Sequence, residues 1–112
     1  MKKDTISIDQ FVTLDIRVGH IKEAETVPDS KKLLKLLVDL GPEYGEVTIL
    51  AGIAQFYTPG DVIHKKMLFL ANLEPRAMMG ETSQGMMLAI DVEGRPLTVE
   101  LLEDMPVGAM IR

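Results

Sequence analysis

Hydrophobic and polar residues alternate with a period of two along much of the chain. The clearest alternating runs are residues 14–18, 67–73, 86–92 and 97–101. This period is typical of β-strands with one buried face. In the run 67–73 the interleaved positions are also largely apolar, which predicts a strand buried on both faces. Residues that favour turns separate the runs, at Gly41-Pro42, Tyr44-Gly45, Pro59-Gly60, 80–85 and 93–96.

The segment KKLLKLLVDLG, residues 31–41, fits two periods at once. Helical spacing is satisfied by Leu33, Leu36, Leu37 and Leu40, and strand spacing by Leu34, Leu36, Val38 and Leu40. Periodicity alone therefore leaves this segment undecided. The stretch Ser7-Ile8-Asp9-Gln10 has the residues of a capping box and predicts a short helix. A second short helix is predicted around residues 55–62, stopped or reshaped by Pro59-Gly60.

Several short strands with few helices predict an all-β fold, either a small barrel or a sandwich. With 112 residues and no repeats or linkers, the chain is expected to form one domain, residues 1–112. Phe11, Phe69 and Met86 are predicted core residues, the last because it falls on the alternating apolar face of 86–92. Tyr44, Phe56 and Tyr57 are the aromatic residues predicted to be candidates for exposure.

Composition favours a globular cytoplasmic protein, because no apolar run approaches the roughly 20 residues of a membrane span and no secretory signal is recognisable. The formal net charge of −5 argues at first against a nucleic-acid partner. However, residues 1–40 are balanced, with seven basic and seven acidic residues, and residues 41–112 carry the whole acidic excess. Basic residues cluster at Lys31, Lys32 and Lys35 and at Lys65-Lys66, so a locally basic face is possible.

Candidate chemistry is sparse. The absence of cysteine excludes disulfides and thiol nucleophiles, and neither His20 nor His64 has metal-ligand spacing beside it. Ser83 lies between glycines without the spacing of a nucleophile elbow, and phosphate-binding glycine loops are missing. We therefore expect no catalytic residue, no metal and no cofactor. A contact surface near the methionines at 78, 79 and 87 remains an alternative to core filling.

Four stretches carry a family resemblance: LDIRVGHIKEAETV, SKKLLKLLVDLG, ILAGIA and FLANLEPRAMMGETSQGMMLA. In this order they resemble the tRNA-binding domain at the end of methionyl-tRNA synthetases. The same domain is found in detached beta subunits, endothelial monocyte-activating polypeptide II and free-standing tRNA-binding proteins. The resemblance runs from about Phe11 to the closing PVGAMIR, and the combination of S-K-K-L-L-K, N-L-x-P-R and S-x-G-M makes it specific. The secretion chaperone CsaA has a similar domain.

The resemblance implies an OB-fold, a five-stranded Greek-key barrel, with a short N-terminal helix and extra terminal segments. It makes the ambiguous segment a strand, with Leu34, Leu36, Val38 and Leu40 inward and Lys35 outward. Similar free-standing proteins are homodimers. The resemblance therefore implies that residues 6–12 and 101–111 pack across a two-fold axis.

The resemblance also implies which residues face tRNA. They are Ser30, Lys31, Lys32 and Lys35 on the second strand, with Asn72, Arg76, Ser83 and Met86 from the fourth strand and the following loop. The lysines and Arg76 would neutralise phosphates, and Asn72 and Ser83 would hydrogen-bond sugar or phosphate. Met86 is a core position by its pattern and a contact by resemblance, and both interpretations stay open.

Departures from the family pattern lower the expected affinity. Glu74 and Ala77 stand where the family often has lysine, Ala51 replaces a serine or threonine, and Glu46-Val47-Thr48 replaces a segment that often contains a basic residue. The first hypothesis is a non-catalytic tRNA-binding protein with weak, salt-sensitive affinity, acting in trans for an aminoacyl-tRNA synthetase, for instance as a methionyl-tRNA synthetase beta subunit. The alternative is a CsaA-like export chaperone that binds unfolded peptides through the methionine-lined loop.

Overall fold

A computed structural model describes all residues from 1 to 112 and shows nine strands and two short helices. The elements in chain order are α1 (Ile8–Phe11), β1 (Ile16–Thr26), β2 (Leu34–Asp39), β3 (Glu46–Ala51), α2 (Pro59–Val62), β4 (Lys66–Leu70), β5 (Arg76–Met78), β6 (Glu81–Ser83), β7 (Met86–Met87), β8 (Ala89–Val92) and β9 (Arg95–Thr98). No helix in the structure has the length and apolar character needed to cross a bilayer.

Five strands form one antiparallel sheet in the order β3-β2-β1-β4-β7, and β5–β6 and β8–β9 form two separate hairpins. The sheet curls until its two ends meet. There the Gln84 amide donates to the Thr48 carbonyl at 2.8 Å, and the Leu50 amide donates to Ser83 Oγ at 3.0 Å. These bonds make a seam that nearly closes the barrel. The prediction of an all-β, five-stranded OB-fold is confirmed.

The ambiguous segment is a strand, β2. Leu34, Leu36 and Val38 are fully buried in the barrel, whereas Lys35 lies on the outer face. Alternate strand residues point to opposite faces, so a period of two places every second residue of LLKLLVDL inside. The tertiary pairing with β1 and β3 on both sides settles what periodicity left open.

Met87, not Met86, belongs to the core, so the prediction that Met86 lies in the core is wrong. Met87 is 8% exposed and pairs with the fully buried Phe69, while Met86 is 40% exposed. Directly opposite residues in an antiparallel pair share a face, and Phe69 faces inward. Gly85, at φ +147°, passes so close to β4 that an added Cβ would lie 2.9 Å from the Leu70 carbonyl oxygen. This approach fixes the register.

The alternating apolar residues that follow Met87 also lie outside the core. Ile90 and Val92 are about half exposed because β8 pairs only with β9 and forms a hairpin outside the barrel. The predicted strand at 97–101 is limited to β9, which ends at Thr98. Residues 86–92 therefore contain two strands that belong to different sheets. The prediction that they form one strand with a single apolar face is wrong.

Both predicted helices exist, and they are short. Ser7 and Gln10 form the predicted capping box of α1, with the Gln10 amide donating to Ser7 Oγ at 3.1 Å. The second helix is shorter than the predicted range 55–62, because α2 begins only at Pro59. Phe69 is confirmed as a core residue, but Phe11 is only half-buried and lies outside the barrel core. Phe11 instead lines an apolar groove between α1 and the C-terminus.

The C-terminal segment pairs with the start of β1, in the part of that strand that β2 does not reach. The Val18 amide donates to the Ala109 carbonyl at 2.9 Å, and the Gly108 amide donates to the Val18 carbonyl at 2.8 Å. A third bond joins the Ile111 amide to the Ile16 carbonyl at 2.8 Å. The chain end is therefore integrated into the fold as an additional edge beside β1.

A buried guanidinium fastens this edge. Arg17 is 6% exposed, and its Nε donates to Asp15 Oδ1 at 2.8 Å while Nη1 reaches Glu43 at 3.2 Å and the Gly108 carbonyl at 3.4 Å. The central carbon of the guanidinium lies 5.0 Å from the centre of the Tyr44 ring, and the Tyr44 hydroxyl donates to Asp15 Oδ2 at 2.6 Å. The hydrogen bonds from Arg17 and Tyr44 lower the pKa of Asp15.

Replacing Asp15 by asparagine is expected to lower the free energy of unfolding at neutral pH by about 2–4 kcal/mol, since Arg17 loses its nearest carboxylate. Because folding lowers the pKa of Asp15, this contribution is complete above the unfolded pKa of about 4 and is lost as pH falls through the folded value. The melting temperatures of parent and Asp15→Asn should thus differ widely at pH 7, start to approach each other near pH 4 and converge only below the lowered pKa of folded Asp15. A gap that persists at low pH would contradict the role of the charge.

Candidate nucleic-acid interface

The prediction that Ser30, Lys31 and Lys32 lie on the second strand is wrong, because β2 begins at Leu34. These three residues form the turn before β2, which presents two lysines on a fixed backbone and which we call the basic turn. Ser30 Oγ accepts the amides of Lys32 at 3.3 Å and Leu33 at 3.1 Å. On the other side the Ala54 amide donates to the Lys32 carbonyl at 3.0 Å. Both lysine side chains are exposed, and neither forms an ion pair. The turn therefore offers two adjacent ammonium groups, held by a half-buried serine.

Arg76 starts the β5–β6 hairpin. The hairpin turns through Met79 and Gly80, both with positive φ, at 51° and 79°, as a two-residue type I′ turn requires. Arg76 is exposed, and its only side-chain contact is Nη2 at 3.9 Å from Met78 Sδ. Its guanidinium is thus free to bind an anion.

Lys35 links the second strand to this hairpin. Its Nζ lies 2.8 Å from Glu81 Oε2 and 3.7 Å from Glu25 Oε1. The hydrogen bond with Glu81 is the main cause that raises the pKa of Lys35, so the ammonium stays charged. This ion pair joins β2, which carries the predicted site residue Lys35, to the hairpin that begins at Arg76. Of the four predicted basic residues, only Lys35 is already paired.

Between the basic turn and the hairpin lies a cavity of about 300 Å³, which we call the hairpin cleft. Its wall includes three carboxylates and one ammonium; the lining residues are Glu25, Thr26, Val27, Pro28, Asp29, Lys35, Met79 and Glu81. The wall of the cleft is therefore mainly acidic, and the unpaired cations Lys31, Lys32 and Arg76 are not among its lining residues. Sequence reasoning missed Glu25 and Glu81. Glu25 is recognisable only once β1 is known to pair it with Lys35.

Ser83 is enclosed by the barrel seam. The side chain is 2% exposed; Oγ accepts the Leu50 amide and donates to the Gly85 carbonyl, each at 3.0 Å. In this structure the hydroxyl is therefore directed into the protein and away from the surface.

Asn72 and Met86 occupy different positions. Asn72 is exposed, yet its amide group ties the N-terminal segment to the end of β4, accepting from the Asp15 amide at 2.9 Å and donating to the Thr13 carbonyl at 2.7 Å. Met86 is exposed just after the seam, with no polar partner. Neither residue lines the hairpin cleft.

Among the aromatic candidates, Phe56 alone is strongly exposed. Tyr44 and Tyr57 are half-buried and pack against the barrel core. Phe56 is 43% exposed, with the guanidinium of Arg95 5.6 Å from its ring centre. Stacking of several bases along the barrel is therefore poorly supported by this surface.

Replacing Ser83 by alanine is expected to lower the free energy of unfolding by about 2–4 kcal/mol, since it leaves the Leu50 amide and Gly85 carbonyl buried without partners. Urea unfolding measures the change. The neighbouring Thr82→Ala is the matched control, because Thr82 is exposed and its side chain forms no hydrogen bond in the structure. Equal stability of the two variants would show that Ser83 does not hold the seam.

Comparison with known sequences places these features in a family. The family described as "Putative tRNA binding domain" matches residues 16–110. The methionine–tRNA ligase of Clostridium acetobutylicum is 48% identical over 112 residues, and that of Protochlamydia amoebophila is 45% identical over 109 residues. These alignments cover 98% and 97% of this chain but 17% and 15% of the ligases. The chain thus spans about a sixth of the length of the curated relatives it matches.

Solved structures show the same fold. A MetRS-related protein from Pyrococcus horikoshii superposes with a TM-score of 0.92 at 36% identity, covering 98% of this chain and 100% of that one. The chaperone CsaA from Bacillus anthracis superposes with a TM-score of 0.84 at 26% identity, covering 97% and 100%. The match over residues 16–110 and the nearly closed five-stranded barrel agree, and the chain belongs to the tRNA-binding domain family.

Proposed function

We propose that this domain binds folded tRNA as a non-catalytic module, mainly through the sugar–phosphate backbone. The observation that carries the proposal is the basic turn: two exposed, unpaired lysines fixed beside β2 by Ser30 and by the loop at Ala54. Arg76, at the start of the β5–β6 hairpin, supplies a third free cation. Similarity to methionine–tRNA ligases supports tRNA as the nucleic acid.

The predicted site residues divide by what their side chains offer. Lys31, Lys32 and Arg76 neutralise phosphates, and exposed Met86 packs against a sugar or base. Ser30, Asn72 and Ser83 already hydrogen-bond to the protein backbone, so we propose that they position the turn, the end of β4 and the seam. Their contribution to binding is then indirect.

The proposed partner is an aminoacyl-tRNA synthetase in the cytoplasm, the methionyl enzyme first. The methionine–tRNA ligases that resemble this chain contain the matching domain within a much longer protein. Acting in trans or in the same polypeptide, the domain would raise the local tRNA concentration near the catalytic unit. Few free cations and an acidic cleft floor predict weak binding that salt weakens further.

Fluorescence anisotropy of labelled tRNA at several salt concentrations tests the interface. Lys31→Ala/Lys32→Ala is expected to weaken binding about tenfold or more at low salt and to reduce the slope of log K against log salt by about 1.4–1.8. Lys2→Ala/Lys3→Ala is the matched control, because it removes the same charge from the exposed N-terminus. Arg76→Ala should also weaken binding, with an unchanged melting temperature.

Equal losses in the two double variants would mean that only net charge matters, which contradicts a defined site. Absence of saturable tRNA binding even at low salt would overturn the proposal. Peptide binding is then the second candidate, supported by the likeness to CsaA and by two exposed methionines, Met79 in the hairpin cleft and Met86 just after the seam. An unfolded-protein titration would examine it directly.

We further propose that two copies associate through the terminal apolar surface. The groove between α1 and the C-terminus is lined by Ile8, Phe11, Val12, Leu14, Met110, Ile111 and Arg112. Ile8 and Val12 are 72% and 66% exposed, unusually high for aliphatic residues that lie side by side on a helix and its cap. Covering this surface with a second copy would bury both sets of side chains.

Replacing Met110 by aspartate is expected to convert a dimer to monomer, because a charge in the buried contact would be desolvated without a partner. Light scattering after size exclusion measures the mass. Phe56→Asp is the control, since Phe56 is as exposed as Met110, 43% against 44%, and lies away from the termini. A parent protein that is already monomeric at high concentration would contradict the proposal.

A further inference from the structure

Lys35 differs from the other basic residues of the proposed interface. Its ammonium is engaged by Glu81 at 2.8 Å and by the more exposed Glu25 at 3.7 Å. Lys31 and Lys32 have no carboxylate within ion-pair distance. A phosphate that approaches Lys35 therefore meets two negative charges that it does not meet at the basic turn.

The hairpin holds Glu81 in this position. Glu81 is the first residue of β6, opposite Met78 and directly after the tight turn at Met79 and Gly80. Two residues later Ser83 is locked into the seam. The Glu81 carboxylate, 30% exposed, has Lys35 as its only hydrogen-bond partner, so its location follows from the hairpin and the seam.

We propose that Glu81 is an internal competitor for phosphate at Lys35 and that it limits how strongly the interface binds RNA. The inference rests on the proposed function and deepens it. Carboxylate and phosphate oxygens accept the same charge-assisted hydrogen bond from an ammonium. A phosphate that reaches Lys35 competes with the carboxylate for the ammonium and is repelled by the carboxylate's charge. In the parent protein Lys35 consequently adds little affinity.

Glu81→Gln tests this directly, because it keeps the shape of the side chain and removes its charge. Measured with labelled tRNA, the variant is expected to bind about five- to tenfold more tightly at low salt. Its salt slope should steepen by about 0.7–0.9, the value of one added phosphate contact.

Glu46→Gln is the matched control. Glu46 pairs with Lys22 at 2.7 Å, and it begins β3 at the end of the sheet remote from Lys35, whose partner on β3 is Leu50. The substitution changes the net charge by the same amount, so a general charge effect would tighten binding equally in both variants. That result would overturn the inference.

A double-mutant cycle with Lys35→Ala separates competition from other causes. We expect Lys35→Ala to change tRNA affinity less than twofold in the parent and to abolish most of the gain in Glu81→Gln. Equal losses in both backgrounds would show that Lys35 already contacts RNA beside Glu81, which contradicts the inference.

Inorganic polyphosphate distinguishes failure of this inference from failure of the proposed function. Stronger polyphosphate binding by Glu81→Gln than by Glu46→Gln, without tRNA binding by any variant, would overturn the tRNA proposal and leave Glu81 as the competitor. Equal polyphosphate binding by the two variants would overturn the role of Glu81, whatever tRNA does. Calorimetric titration measures both cases with the whole chain.

Discussion

The seam between Ser83, Gln84 and β3 is the constraint on which the interface depends. The Leu50 amide donates to Ser83 Oγ, and the Gln84 amide donates to the Thr48 carbonyl. A two-stranded hairpin such as β5–β6 is marginal by itself in water. Because the seam anchors its second strand, the hairpin stays against β2, and the hairpin cleft keeps its shape.

Ion pairing decides which charged side chains of this acidic domain remain available at its surface. Arg17 is buried in the interior, where the hydrogen bond to Asp15 raises the pKa of its guanidinium and the contact with the Gly108 carbonyl fastens the C-terminal edge. Lys35 is paired at the floor of the hairpin cleft. Lys31, Lys32 and Arg76 remain free. The net charge of −5 therefore says little about the potential that a ligand meets locally.

Much of the fold was predictable because its signals are local. The capping box at Ser7 and the exposure of Lys31 and Lys32 needed only neighbouring residues, and the resemblance to a known family supplied the barrel and the strand assignment of β2. The core assignment of Met86 failed for a reason that lies elsewhere in the chain. The inward face of β7 is set by its pairing with Phe69, about 20 residues earlier, and by the close approach of Gly85 to β4.

The sequence by itself determined which residues are available: a strand-rich chain, a cluster of lysines at residues 31–35 and a polar loop flanked by methionines. Only the tertiary structure decided what each does. Ser83 is buried where its hydroxyl accepts a hydrogen bond from the amide of Leu50, which lies 33 positions earlier in the chain. Lys35 is paired because the fold places Glu81, 46 positions later, beside its ammonium. Periodicity and turn propensity act over a few residues, whereas satisfying a buried amide or an ion pair requires partners that only the closed barrel brings together.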